Sequence, residues 1–186
     1  MSIYFTSDLH LGHDKPFLYE PRGFNSIKEH DESIANNWNS IVSNEDTVYI
    51  LGDLILNDND NGIRLIKKLK GKKIIILGNH DTSKRIELYQ NELGMEGIKY
   101  SDIIKYDKYH FYISHYPTLV GNNGTSVQLK SRLINLCGHT HTKDPFNDWD
   151  KGLIYHVELD AHNNYPILID DIISECKEKY KATKIQ

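Results

Sequence analysis

Five short stretches of the 186-residue sequence, TSDLH, LGD, GNHD, SHYP and CGHTH, gather side chains that bind metals and move protons. They supply Asp8 and His10; Asp53; Asn79, His80 and Asp81; His115; and His139 with His141. Carboxylate, carboxamide and imidazole donors without a thiolate suit Mn²⁺, Fe, Ni²⁺ or Zn²⁺. Taken singly, each stretch has a plain structural explanation. Asp-x-His and His-x-His pairs occur in surface loops, Asp53 and Asn79 fit turns, and His115 fits a hydrogen-bonded core histidine. Their shared setting separates them from that background, because each follows a run of β-branched or aromatic residues.

Those runs are IYFTS (Ile3–Ser7), TVYIL (Thr47–Leu51), KIIIL (Lys73–Leu77), HFYIS (His110–Ser114) and LINLC (Leu133–Cys137), with IYHVEL (Ile154–Leu159) as a sixth. The first three read as buried strands. In open α/β sheets, ligands collect beyond the carboxyl ends of the strands. If the chain stays extended after the first run, Asp8 and His10 point the same way. Gly52, Gly78 and Gly138 are expected to let the backbone turn sharply there.

Between the runs lie helical patterns. Ser26 is a candidate N-cap for IKEHDESIANNWNSIV, where Ile34, Trp38, Ile41 and Val42 share a face. GIRLIKKLKG predicts a helix ending at Gly71, and TSKRIELYQNEL one capped by Thr82 or Ser83. Strand–helix alternation implies parallel βαβ units at the front of the chain. Strands dominate from about Lys99, the segment Asn163–Tyr165 turns the chain, and IDDIISECKEKYKATK closes as an amphipathic helix. The expected fold is α/β, two packed sheets flanked by helices, in one domain spanning residues 1–186. The polar segment Val120–Gln128 is either a mobile loop or an inert connection. NDNDNG mimics a calcium loop, but its twelfth position is Lys68 where an EF-hand needs Glu, so it reads as a polar entry to a helix.

Hydrophobic residues form 39% of the chain and charged residues 26%, with a net charge of −4, which argues against a broad duplex-binding face. Two cysteines, Cys137 and Cys176, are too few for a disulfide framework or a zinc knuckle. With no signal-peptide pattern and no membrane-length apolar run, the expectation is a soluble, cytoplasmic protein without a membrane partner. Lys67, Lys68, Lys70, Lys72 and Lys73 read as a solvated face at the strand end opposite the motifs.

The ordered series DLH, GD, GNHD, SH, GHTH resembles the calcineurin-like metallophosphoesterase superfamily. Its context (SDLHLGH, PRGF, NWN, VYILGD, ELDAHNNYPI) is similar to a small bacterial and phage branch of it. The resemblance implies a four-layer sandwich of two mixed sheets and a dinuclear metal site. Asp8, His10, Asp53 and His141 would hold the first ion. Asp53 would bridge to a second held by Asn79, His115 and His139. Two divalent ions, foremost Mn²⁺, would activate a bridging hydroxide for in-line attack on a phosphate ester. His80 would face the substrate and assist the leaving group, with Asp81 orienting its imidazole. His13 and Arg22 are candidate substrate contacts, each with a plain loop role as the alternative. The implied substrate is a small, nucleotide-like monoester or diester. A nuclease for single-stranded ends or short oligonucleotides is the alternative, and a catalytically silent interaction scaffold a more distant one.

Overall fold

The computed structural model describes residues 1–95, 97–121 and 128–184. The first three apolar runs become β1 (Ile3–Thr6), β2 (Thr47–Leu51) and β3 (Lys72–Ile76). They pair in parallel, with Ile3 opposite Thr47 and Thr47 opposite Lys72. The second sheet contains β4 (Ser101–Tyr106), β5 (Tyr109–Ser114), β6 (Leu133–Cys137) and β7 (Ile154–His156), in that order. β4 and β5 form an antiparallel hairpin, while β5, β6 and β7 run parallel. A two-residue strand, β8 (Ile167–Leu168), pairs antiparallel with β1, so the first sheet reads β3-β2-β1-β8. The fold is therefore two mixed four-stranded sheets, as the sequence resemblance implies.

Side-chain alternation along each strand builds two cores. Val48 and Ile50 enter one, against Ile34 and Trp38, while Leu51 enters the other. In that second core Phe5, Leu51 and Ile76 meet Phe111, Ile113, Ile134 and Leu136 of the opposing sheet. Burying each such side chain is worth about 1.5–3 kcal/mol, so the sheet packing is well anchored.

Among the described residues six helices flank the sheets: α1 (Pro16–Tyr19), α2 (Ile27–Ile41), α3 (Asn59–Ile66), α4 (Ser83–Leu93), α5 (Trp149–Gly152) and α6 (Ile169–Lys184). Ser26 caps α2 as expected, its hydroxyl accepting from Glu29 N–H at 3.2 Å. α3 differs from its sequence reading: it starts at Asn59, capped by Asp58, and stops at Ile66 rather than at Gly71. The Asp58 carboxylate, accepting from Asn61 N–H at 3.0 Å, outcompetes the later start. Thr82 occupies the cap position of α4 without a side-chain cap bond. β4 escaped sequence reading because it is an edge strand with no fully buried residue. Of the polar segment 120–128, residues 122–127 lie outside the described residues. Lys67 pairs with Glu92 at the surface, whereas Lys73 is partly buried and donates to Leu69 and Gly71 carbonyls. No described helix is long and apolar enough to cross a membrane.

Candidate metal centre

The loops after β1 and β2 stay laced together beyond the strands, through Asp8 N–H to Gly52 O at 3.0 Å and His10 N–H to Asp53 O at 3.0 Å. The chain is not extended there, contrary to the sequence expectation. Asp8 (φ 57°) and His10 (φ 49°) are left-handed, as are Asp53, His139 and His141. Such residues cost on the order of 1–3 kcal/mol each and persist where surrounding structure fixes them. Gly52 turns sharply as expected, at φ 94°. Gly138 serves a different end: a Cβ there would strike Ser7 Oγ and the Asp8 carboxylate. Gly78 likewise makes room for the Asp53 carboxylate, and its carbonyl accepts from Asp81 N–H at 3.3 Å to close the turn.

With the chain so bent, Asp8, His10, Asp53, Asn79, His115, His139 and His141 converge. His10 Nε2 lies 3.2 Å from His141 Nε2, 3.8 Å from Asp8 Oδ1 and 3.7 Å from Asp53 Oδ2. On the other side, His115 Nε2 is 2.9 Å from Asn79 Oδ1, 3.2 Å from His139 Nδ1 and 3.6 Å from Asp53 Oδ2. Asp53 Oδ2 stands between the two groups.

Several of these atoms present lone pairs or lack hydrogen-bond partners, as candidate metal ligands do. His115 Nδ1 donates to the Leu51 carbonyl at 2.8 Å, so Nε2 presents a lone pair to the Asn79 oxygen. His141 Nδ1 lies 3.0 Å from Asp160 Oδ2, which turns its Nε2 lone pair toward His10. Asp8 Oδ2 accepts from His139 N–H at 2.8 Å, but its buried Oδ1 has no hydrogen-bond partner. His115 Nε2 against Asn79 Oδ1, acceptor facing acceptor at 2.9 Å, matches the ligand spacing around an ion with bonds of about 2.0–2.1 Å. Burial pushes the Asp8 carboxyl up to about 6 and raises Asp53 as well. It also holds His10 and His139 below the usual imidazole range. Neutral imidazoles and carboxylates short of positive charge are what a divalent ion supplies with bonds.

A further layer of residues orients the candidate ligands. Asp160 takes Arg22 Nη2 at 2.6 Å and Nε at 3.1 Å besides His141. Burial opposes its charge, yet the hydrogen bonds from His141 and Arg22 hold its carboxyl far below the usual range. Burial works against charge on His141 too, but the bond to Asp160 and the Asp8 carboxylate leave its pKa raised. Arg22 is 7% exposed and also donates to the Asp8 carbonyl at 2.8 Å, so it is not a solvated loop residue. It positions the ligand loops. Asp81 also faces inward. Its carboxylate is occupied by the amides of Asp53 (2.8 Å), Leu54 (3.4 Å) and Gly78 (2.8 Å) and by the Tyr89 hydroxyl (2.7 Å), not by the His80 imidazole. A buried carboxylate is drawn to the donors that satisfy it, and these lie inward. Glu158, fully buried, supports the His139–His141 turn by accepting from Thr140 Oγ1 at 3.0 Å and Thr142 N–H at 3.2 Å. Sequence reading assigned no role to Glu158 or Asp160, although they continue the pattern of acids just past an apolar run.

The histidines floor a cavity of about 530 Å³ whose lining includes His10, His13, Asp53, Asn79, His80 and His139. The His80 side chain is 43% exposed, with Nε2 3.9 Å from Asp53 Oδ2, while its backbone N–H donates to Asp53 Oδ1 at 2.9 Å. His13 also lines the cavity, and so do Phe17, Leu18, Pro21 and Lys143, none of them singled out by sequence except His13.

Comparison with known proteins agrees with this geometry. The chain matches the calcineurin-like phosphoesterase family over residues 1–180. It is 29% identical to an uncharacterized protein of Methanocaldococcus jannaschii, covering 98% of this chain and 94% of that one. It is 30% identical to the gene 66 protein of Mycobacterium phage D29, covering 89% of this chain and 92% of the relative. Among solved structures, a protein of unknown function from Aquifex aeolicus shares the fold, with a TM-score of 0.71, 24% identity and coverage of 93% and 98%.

Proposed function

The chain belongs to the calcineurin-like phosphoesterase family, which makes it a metal-dependent phosphoester hydrolase, and from that premise we propose a dinuclear enzyme with residues 1–186 as one catalytic domain. The observation that carries this reading is the meeting of two lone-pair groups at Asp53 Oδ2, 3.7 Å from His10 Nε2 and 3.6 Å from His115 Nε2. Asp8, His10, Asp53 and His141 would hold one cation, and Asn79, His115 and His139 the other, with Asp53 shared. Oxygen and imidazole donors favour Mn²⁺, with Fe, Ni²⁺ and Zn²⁺ compatible. When bound, the ions supply an activated water and Lewis-acid polarisation of the phosphoryl oxygens.

The protein's own groups complete the chemistry. Asp160 and Arg22 fix the His141 ring, and Asp81 pins the Asp53 and Gly78 amides, so the ligands are preorganised. His80 projects from the same turn into the cavity and donates a proton to the departing oxygen. Lys143 is the one Lys or Arg among the described residues lining the cavity. A monoester dianion would profit from more cations, so we assign at least equal turnover to activated diesters. A strand-binding groove would also need more positive charge, which favours a small ester over a nucleic-acid strand.

Elemental analysis after Mn²⁺ loading tests the metals. Wild type should approach two equivalents with hydrolysis of bis(p-nitrophenyl) phosphate, and Asp53→Asn should lose both occupancy and turnover. Wild-type protein that stays near zero metal would sink the proposal.

A further inference from the structure

The wall of the cavity beside His13 has no role in the chemistry above. α1 is pinned to the molecule by Leu18 and Tyr19, which are 5% and 9% exposed, while Phe17 between Pro16 and Leu18 is 71% exposed. Phe17 belongs to neither hydrophobic core, and it faces the cavity together with Leu18 and Pro21. Its position is fixed: Pro16 opens the helix, Leu18 N–H reaches Lys15 O at 2.9 Å, and Phe24 N–H reaches Tyr19 O at 3.0 Å. Upstream, Gly12 N–H is held by the Asp31 carboxylate at 3.0 Å.

From the candidate ligands outward, rings follow one another like steps. His141 and His10 have centroids 5.1 Å apart, His10 and His13 5.7 Å, and His13 and Phe17 5.6 Å. The last step carries the series of rings from the candidate ligand His10 through His13 to Phe17, all three lining the same cavity. The same rim carries a cation, because Lys143 Nζ rests 3.3 Å from the Pro21 carbonyl. A volume of about 530 Å³ is in the range of small-ligand sites, about 300–1,000 Å³.

We propose that His13, Phe17, Leu18 and Pro21 form a nucleobase subsite, so that the ester bound here is a nucleotide with its base stacked on Phe17 and its phosphate over the histidines. The assignment rests on the phosphoesterase reading and deepens it. An aromatic face accepts any base without hydrogen-bond readout, so selectivity is for the planar group rather than its identity. Lys143, which lines the same cavity, is the cation available to a phosphate oxygen there.

Calorimetry of Mn²⁺-loaded protein with adenosine 5′-monophosphate, ribose 5-phosphate, hexyl phosphate and inorganic phosphate tests it. Phe17→Ala removes an exposed side chain and should leave the fold intact. It should weaken adenosine monophosphate binding roughly five- to a hundredfold, the range for a lost base stack. Ribose phosphate and inorganic phosphate binding should not change, and Phe17→Trp should restore nucleotide affinity. No loss for the nucleotide, or equal loss for all four ligands, would overturn the subsite. Hexyl phosphate depending on Phe17 as strongly as the nucleotide would reassign the wall to alkyl chains and also overturn it. These failures leave phosphate binding and diester hydrolysis in place. If those are absent too, the phosphoesterase reading falls with the subsite.

Discussion

Asn79 and His80 are neighbours in sequence with different surroundings. The Asn79 oxygen lies 2.9 Å from His115 Nε2 and 3.0 Å from His139 Nδ1, whereas the His80 side chain lines the cavity and is partly exposed. Asn79→Ala should weaken one metal and recover activity in excess metal. His80→Ala should keep both metals and slow turnover by roughly 10²–10⁴-fold, the range for a lost general acid. That deficit should shrink for nitrophenolate leaving groups, which need no proton. A His80 variant that loses metal, or one fully active on alkyl esters, would refute the division of labour. Asp81→Asn should behave unlike His80→Ala. Placing an NH₂ group against amide donors leaves buried hydrogen bonds unmade, costing about 1–3 kcal/mol, and loosens the Asp53 loop. Melting temperature and metal content should fall together, and a variant that loses only rate would restore Asp81 as a partner of His80.

Among the elements, the strand starts are tied by one side chain. Asp46 accepts from Ser2 N–H at 2.6 Å and from Ser43 N–H at 2.9 Å and Oγ at 2.7 Å, joining the entry of β1 to the exit of α2. Its backbone carbonyl receives Lys72 N–H at 2.8 Å, so the start of β3 depends on it as well. The hydrogen bonds from Ser2 and Ser43 lower its carboxyl to about 2. An unfolded Asp titrates near 3.9, so the folded form binds its proton less readily. The stabilisation is complete above about pH 4 and disappears as pH falls through about 2. Asp46→Asn should be less stable at neutral pH and lose less between about pH 4 and 2. Acid unfolding curves followed by circular dichroism would show this, and parallel curves for the two proteins would contradict it.

For the molecule as a whole, both sheets end at one site, so ion binding and folding are linked. Asp8 and Asp53 are 0% and 2% exposed, and Asp8 Oδ1 has no hydrogen-bond partner. Ions that bind only the folded form add about 2.7 kcal/mol per site at a hundredfold excess over Kd. For a chain of this size that amounts to roughly 5–10 °C per site. Thermal melts with Mn²⁺ and with chelator should differ by at least this much, and Asp53→Asn should narrow the gap. Equal melting temperatures with and without metal would argue against a buried, preorganised pair of sites.

The strand runs, the parallel order of the first three strands, the Ser26 cap and the position of the metal-type motifs past the strand ends were legible in sequence. Each is a local pattern: β-branched runs, a capping hydroxyl, and turn residues next to them. The family resemblance added the mixed-sheet architecture, which the strand order confirms. What local pattern does not contain, tertiary structure decided. β4 has no fully buried residue and is held by pairing with β5, β8 is a two-residue strand placed by pairing with β1, and α3 was placed by a cap that competed with its apolar pattern. The left-handed backbone at Asp8, His10 and Asp53 arises because neighbouring loops lock together, which no two-residue spacing reveals. Arg22 and Asp81 turned inward because buried charges seek the nearest donors and acceptors, and those come from distant parts of the chain. Phe17 reads in sequence as one more apolar residue. Only the packing of Leu18 and Tyr19 beneath it leaves its ring facing the cavity.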